Sequence, residues 1–141
     1  MSLRKFKPIT AGTRWRIGNA YAEVTTNVPE KSLIEAKPRT GGRNTSGHLT
    51  MRYRGGGHKK KYRIVDFKRN KAGAATVESI QYDPNRTAFI ALLVYADGEK
   101  RYILAPQGLE VGAKVESGPN VAPEVGNTLP MRNMPLGTNI H

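Results

Sequence analysis

From Tyr62 onward the chain has the texture of short strands. Tyr62-Arg63-Ile64-Val65-Asp66-Phe67 is rich in β-formers, and its Tyr62, Ile64 and Asp66 share one face. Ala75 to Tyr82 alternates: Ala75, Val77, Ser79 and Gln81 oppose Thr76, Glu78, Ile80 and Tyr82. Ala88 to Tyr95 is one continuous apolar run of strand length, the pattern of a central strand buried on both faces. Asp97-Gly98 separates that run from Arg101-Tyr102-Ile103-Leu104, a strong hairpin signal. Lys114 to Ser117 is a weaker strand, and Gly126 to Met131 a last extended segment. Asn70-Lys71-Ala72-Gly73 and Asp83-Pro84-Asn85-Arg86 both carry turn chemistry. No amphipathic helix of three turns is present. The pattern predicts an all-β fold: a five-stranded Greek-key barrel of OB type over residues 61–131, with a long basic N-terminal extension.

The first sixty residues lack that texture. Residues 1–38 hold Pro8, Pro29, Pro38 and only short apolar runs, and residues 39–61 are glycine-rich and cationic. Residues 1–60 therefore read as an extended basic arm with little independent fold. Ordering such a segment costs roughly 1–2 kcal/mol of backbone entropy per residue, which a binding partner has to offset. The alternative within the arm is a short strand or helical turn packed on the core somewhere in 20–36.

Charge changes the picture most. The net charge is +12, and the 33 residues from Arg39 to Lys71 hold eleven of the 23 Lys/Arg and one acidic group, Asp66. The rest of the chain is almost balanced, so the excess is one stretch rather than a general trait. Cations mixed with glycine bring bare backbone and positive charge close to a polyanion, where counterion release supplies sequence-independent affinity. Nucleic acid is the first candidate partner. There are no cysteines, which removes disulfides, thiolate chemistry and cysteine-bound zinc. No run approaches a membrane span of about 18 apolar residues. The start, MSLRKFKPIT, lacks the apolar region of a signal peptide, so a cytoplasmic location is expected.

Three motifs carry the binding chemistry. Gly55-Gly56-Gly57-His58-Lys59-Lys60-Lys61 offers successive backbone N–H groups as an anion nest beside mobile point charges. A flexible linker is the bland reading, but Gly41-Gly42-Arg43-Asn44 repeats the idea on a smaller scale. The spacing of a phosphate-binding P-loop is absent. Arg52-Tyr53-Arg54 and Tyr62-Arg63 interleave rings with guanidinium groups: rings stack on unpaired bases and guanidinium pairs with phosphate. Tyr62, Phe67, Phe89 and Tyr95 are expected in the core, whereas Tyr53 has no core nearby. Asp83-Pro84-Asn85-Arg86-Thr87 is expected to hold Arg86 at a loop tip, aimed outward, where the bland reading is an ordinary surface arginine. His48, His58 and His141 are too far apart in sequence to suggest a metal site, and the scattered carboxylates suggest no acid/base pair. No catalytic residue and no cofactor is expected.

These motifs also carry a resemblance. Thr40-Gly41-Gly42-Arg43-Asn44, Gly55-Gly56-Gly57-His58-Lys59, Tyr62 to Arg69, Tyr82-Asp83-Pro84-Asn85-Arg86, Arg101 to Pro106 and Gly126 to Met131 occur in this order. Together they resemble the N-terminal half of the bacterial-type large-subunit ribosomal protein two family, and Lys7-Pro8 matches more loosely. The resemblance implies binding to large-subunit rRNA, a part in subunit assembly and translation, and an OB barrel followed by an SH3-like barrel. It implies an RNA-binding role for Arg86. Family members run to about twice this length. Residues 132–141 are therefore expected to begin a linker to an SH3-like barrel absent from this chain, and no part in peptide-bond formation is carried over.

The resulting expectation is a non-enzymatic structural constituent of the large ribosomal subunit, cytoplasmic and monomeric when free. Its partners are large-subunit rRNA and other ribosomal proteins, with no membrane and no small-molecule substrate. The expected RNA contacts are Arg43, Arg52, Tyr53, Arg54, Gly56, His58, Lys59, Lys60, Lys61, Arg63, Lys68, Arg69 and Arg86. The rival is a general OB-type single-stranded RNA-binding factor, which needs exposed aromatics on the barrel face.

Overall fold

The computed structural model describes residues 2–140; Met1 and His141 lie outside them. Strand β1 (Leu3–Lys5) pairs antiparallel with β2 (Ile17–Asn19), and a single helical turn, α1 (Ala11–Arg14), sits between them. A 3-10 turn at Lys31–Leu33 leads into β3 (Ile34–Ala36), which pairs antiparallel with β4 (Lys61–Arg63). The main sheet has the order β7-β6-β5-β8, built from β5 (Ala75–Gln81), β6 (Ile90–Tyr95), β7 (Lys100–Leu104) and β8 (Lys114–Val115). A 3-10 turn at Met131–Asn133 follows. The described residues are thus mostly strand and loop, as the all-β expectation required.

β6 is the hydrophobic axis. Ala91, Leu93 and Tyr95 pack with Val77, Ile103, Leu109 and Val115 in one core cluster. Ile90 and Leu92 point the other way, against Val65 and Tyr102, with Leu33 and Leu104 half-buried beside them. Period-two geometry explains this: a run apolar at every position feeds both faces. Burying each such side chain contributes roughly 1.5–3 kcal/mol. The β6–β7 hairpin turns at Asp97-Gly98, where Gly98 has φ +80°, a conformation that glycine adopts at little cost.

β5 departs from simple alternation. Its register shifts between Val77 and Ser79, so Ser79, Ile80 and Gln81 are all buried. A bulge turns the strand and re-aims its side chains. The segment expected at 62–67 is also shorter as a strand: it ends at Arg63, and Val65 alone continues it as a parallel bridge to Tyr102. Val65 is buried while Ile64 and Phe67 are exposed, which corrects the expectation that Phe67 is core-bound.

The second face is closed by the N-terminal segment, the alternative considered within 20–36. Thr25 amide donates to the Ile80 carbonyl at 2.9 Å, and the Ile80 amide donates to the Thr25 hydroxyl at 3.1 Å. The fully buried Tyr102 hydroxyl donates to Gln81 Oε1 at 2.9 Å and accepts the Glu30 amide at 2.8 Å. Lys100 adds a bond to Glu30 at 3.0 Å. Residues 24–36 are therefore strapped to the sheet by a buried polar link.

Tyr102→Phe removes both bonds and leaves Gln81 Oε1 and the Glu30 amide without partners, while Gln81 Nε2 still donates to Ser79. It is expected to lower stability by about 1–3 kcal/mol in urea denaturation. The first proteolytic cuts, expected in 37–60 in the parent chain, should extend into 24–36 in this variant.

Candidate nucleic-acid interface

The glycine-rich segment is built of turns that bond to themselves. Thr50 and Met51 amides donate to the Gly42 carbonyl at 2.9 and 3.1 Å. Asn44 amide donates to the His48 carbonyl at 3.0 Å, and the His48 amide donates to Asn44 Oδ1 at 2.9 Å. Gly42 has φ +73°, and a Cβ there would lie 2.5 Å from the Met51 carbonyl oxygen, so only glycine fits this crossing. Arg43 and Arg39 brace the loops by donating to the Gly47 and Gly56 carbonyls at 2.9 and 3.4 Å. The Arg39 guanidinium thus already lies against the triglycine where an anion nest was expected.

This arrangement buries none of the segment's charge. Side chains from Arg43 to Lys59 are exposed, and Tyr53 is 99% exposed. Among the described residues, no cation from Arg39 to Arg63 pairs with a carboxylate; the ion pairs use Lys71, Arg86, Lys100 and Arg101. The segment is therefore a structured, uncompensated positive surface. Arg52, Tyr53, Arg54, Gly56, His58, Lys59 and Lys61 lie on it, with Lys60 half-buried at its end.

Arg86 is placed differently from the expectation. It does not project from a loop tip. Its Nε donates to Asp83 Oδ2 at 2.6 Å, and Asp83 is fully buried. Its guanidinium carbon lies 5.5 Å from the Phe67 ring centroid and 6.0 Å from that of Tyr62. The Asx chemistry that suggested a turn explains the change: Asp83 Oδ1 accepts the Asn85 amide at 2.9 Å, which folds the carboxylate inward beneath the turn. Burial pushes the Asp83 carboxyl up; the Asn85 amide and the Arg86 guanidinium overcome this and hold it below the usual aspartate range.

Arg69 and Arg63 are partly withdrawn. Arg69 amide donates to Asp66 Oδ1 at 2.9 Å and its Nη1 to the Gly126 carbonyl at 3.2 Å, making it a strut between distant loops. Burial lowers the pKa of its guanidinium. Arg63 Nη1 donates to the Lys61 carbonyl at 2.8 Å. Lys68 is exposed. Beside them runs a network that the sequence did not announce. Arg101 bonds Asp66 at 2.7 Å and Glu99 at 2.6 Å, and Lys71 bonds both Glu99 and Asp97. Burial pushes the Asp66 carboxyl up, but Arg101 and nearby backbone amides hold it low.

The N-terminal hairpin was also missed. Phe6 lies between Arg4 and Arg16, whose guanidinium carbons are 5.4 and 4.6 Å from its ring centroid, and Trp15 is 87% exposed. Arg14-Trp15-Arg16 repeats the interleaving of Arg52-Tyr53-Arg54, so the signal was present in the sequence. Among the described residues no group of three or more His, Asp or Glu is placed to hold a metal ion, and no helix is long and apolar enough to cross a membrane.

Fold and charge together define a class: a small all-β protein carrying a cationic surface suited to a polyanion. The chain belongs to a family within that class. Residues 30–117 match the family described as Ribosomal Proteins L2, RNA binding N-terminal domain. The chain is 63% identical over 142 residues to the large ribosomal subunit protein uL2 of Cytophaga hutchinsonii, covering 100% of this chain and 51% of that protein. With the uL2 of Flavobacterium johnsoniae it shares 63% identity over 141 residues, 99% of this chain and 52% of the relative. The uL2 of Parabacteroides distasonis is also 63% identical, over 142 residues, 100% of this chain and 52% of the relative. The chain thus spans about half the length of these curated relatives.

Two outcomes follow from the geometry. Asp66 and Asp83 have folded pKa values below their unfolded ones, so their stabilisation is complete above the ordinary aspartate value and lost as pH falls below it. Urea midpoints should be flat from about pH 7 to about pH 5 and fall below about pH 4. Gly42→Ala should open the 40–57 loops to protease while leaving the urea midpoint of the sheet unchanged, because the strain is local.

Proposed function

We propose that this chain binds large-subunit rRNA as a structural, non-enzymatic component of the large ribosomal subunit in the cytoplasm, acting in subunit assembly and translation. The observation that carries this reading is the charge surface of residues 39–61, which is held in shape by backbone bonds yet left without carboxylate partners. The printed names of the family and of its relatives point the same way. Arg43, Arg52, Arg54, Lys59, Lys60, Lys61 and Lys68 act mainly through phosphates. Tyr53 stacks on an unpaired base. Arg63, Arg69 and Arg86 contact RNA from the rim of the sheet, and Gly56 and His58 line the approach of the backbone. To these we add Trp15 with its flanking arginines.

In this reading residues 61–131 form a five-stranded OB-type barrel. The β5-β6-β7 meander, the antiparallel β8 on the edge of β5, and the parallel bridge from Val65 to Tyr102 support it. Residues 1–60 act as the basic arm, with 24–36 as its anchor on the barrel, and residues 132–141 begin the linker to a second barrel. Other ribosomal proteins are further partners, and the free chain is monomeric. A general single-stranded RNA binder is the rival; Phe67 and Tyr82 are exposed rings within 61–131 that it would stack on.

Filter binding over a salt series decides between them. A structured large-subunit rRNA transcript should bind more tightly than poly(U) of equal length; equal affinity would favour the rival. Lys60→Ala is expected to weaken binding to both RNAs and to reduce the salt slope by about one unit.

A further inference from the structure

We propose that Asp83 is a positioning residue for RNA recognition, fixing Arg86 and the exit of the cationic arm in one register. This rests on the RNA-binding reading above. One carboxylate controls both elements. Its Oδ2 takes Arg86 Nε at 2.6 Å. Its Oδ1 takes the Asn85 amide at 2.9 Å and Asn85 Nδ2 at 3.0 Å. Asn85 Nδ2 also donates to the Lys61 carbonyl at 2.8 Å, at the point where the arm joins the sheet. The same turn therefore holds the placed arginine with one hand and the base of the Lys59-Lys60-Lys61 run with the other.

The consequence is chemical. A guanidinium held through Nε keeps its terminal N–H groups as donors. Arg86 is further confined by the rings of Tyr62 and Phe67. A loose surface arginine loses rotamer freedom when it binds; here that ordering is complete in the free protein. Because the lysine run is anchored to the same carboxylate, the spacing between Arg86 and the arm is set before RNA arrives. A folded RNA with phosphates at that spacing gains from both elements at once. A flexible single strand adapts to either arrangement and gains little. Asp83 thus governs selectivity for folded RNA rather than charge-driven affinity.

Asp83→Asn separates the functions, since its amide oxygen still accepts from Asn85 while its NH2 group cannot accept from Arg86. Binding of the full chain to a large-subunit rRNA transcript and to poly(U) is measured over a salt series, with Arg86→Ala and the double variant alongside. Asp83→Asn should lose about tenfold on the rRNA and under about twofold on poly(U), with an unchanged salt slope because no cation is removed. The double variant should bind no more weakly than Arg86→Ala alone. Asn85→Ala keeps the Asp83–Arg86 pair and the Asn85 amide bond but cuts the link to Lys61; it should show the same selective loss with a cooperative melt at a somewhat lower temperature, and it decides the matter if Asp83→Asn does not fold. Equal losses on both RNAs, or additive losses in the double variant, overturn the proposal. Parent chain that prefers rRNA while Asp83→Asn keeps that preference overturns this inference alone. Parent chain with no preference overturns the RNA reading and the inference with it.

Discussion

A carboxylate cut off from water must be answered by donors around it, and Asp83 is the point at which this chain meets that demand. Leaving such a charge unpaired costs far more than forming its hydrogen bonds gains. The Asn85 amide, the Asn85 side chain and Arg86 supply the donors. Meeting the demand closes the turn after β5, brings Arg86 against Tyr62 and Phe67, and leaves Asn85 in reach of the Lys61 carbonyl. The place where the arm meets the sheet therefore follows from one desolvated charge.

The same logic divides the cations into two populations. Lys71, Lys100 and Arg101 are used inside the protein, tying Asp97, Glu99, Glu30, Glu78 and Asp66 into networks around the sheet. The cations from Arg39 to Lys61 have no carboxylate answer among the described residues. Their segment keeps its shape through backbone hydrogen bonds at Gly42, Asn44 and His48, which cost no positive charge. Arg39 and Arg43 each lend one N–H to a loop carbonyl, yet no carboxylate cancels their charge, which stays available to a polyanion.

Legibility varied with the range of the interaction concerned. The double-sided burial of β6 and the Asp97-Gly98 hairpin were readable, because an unbroken apolar run and a glycine turn express local rules. The bulge in β5 was not: it sits in the pairing with β6, while on its other side Val77 bonds the loop at Gly112 and Ala113, whose Gly112 amide donates to the Val77 carbonyl at 2.8 Å. Phe67 looked like core by composition and proved 62% exposed, because Val65 took the inward position when the strand gave way to a single bridge. Arg14-Trp15-Arg16 was readable by the rule applied at Arg52-Tyr53-Arg54 and was passed over.

The chain's order of residues determined the all-β character, the strand-forming stretches and the concentration of positive charge, because propensity, alternation and net charge are properties of neighbours in sequence. Only the folded arrangement decided which cations are spent internally. Arg69 and Arg101 are indistinguishable from Lys59 or Arg52 until the Gly126 carbonyl and Asp66 are brought beside them. It also decided that residues 24–36 lie on the sheet, through a tyrosine hydroxyl 72 positions away from the amide it accepts. Such pairings depend on distance in space, and no local pattern encodes them.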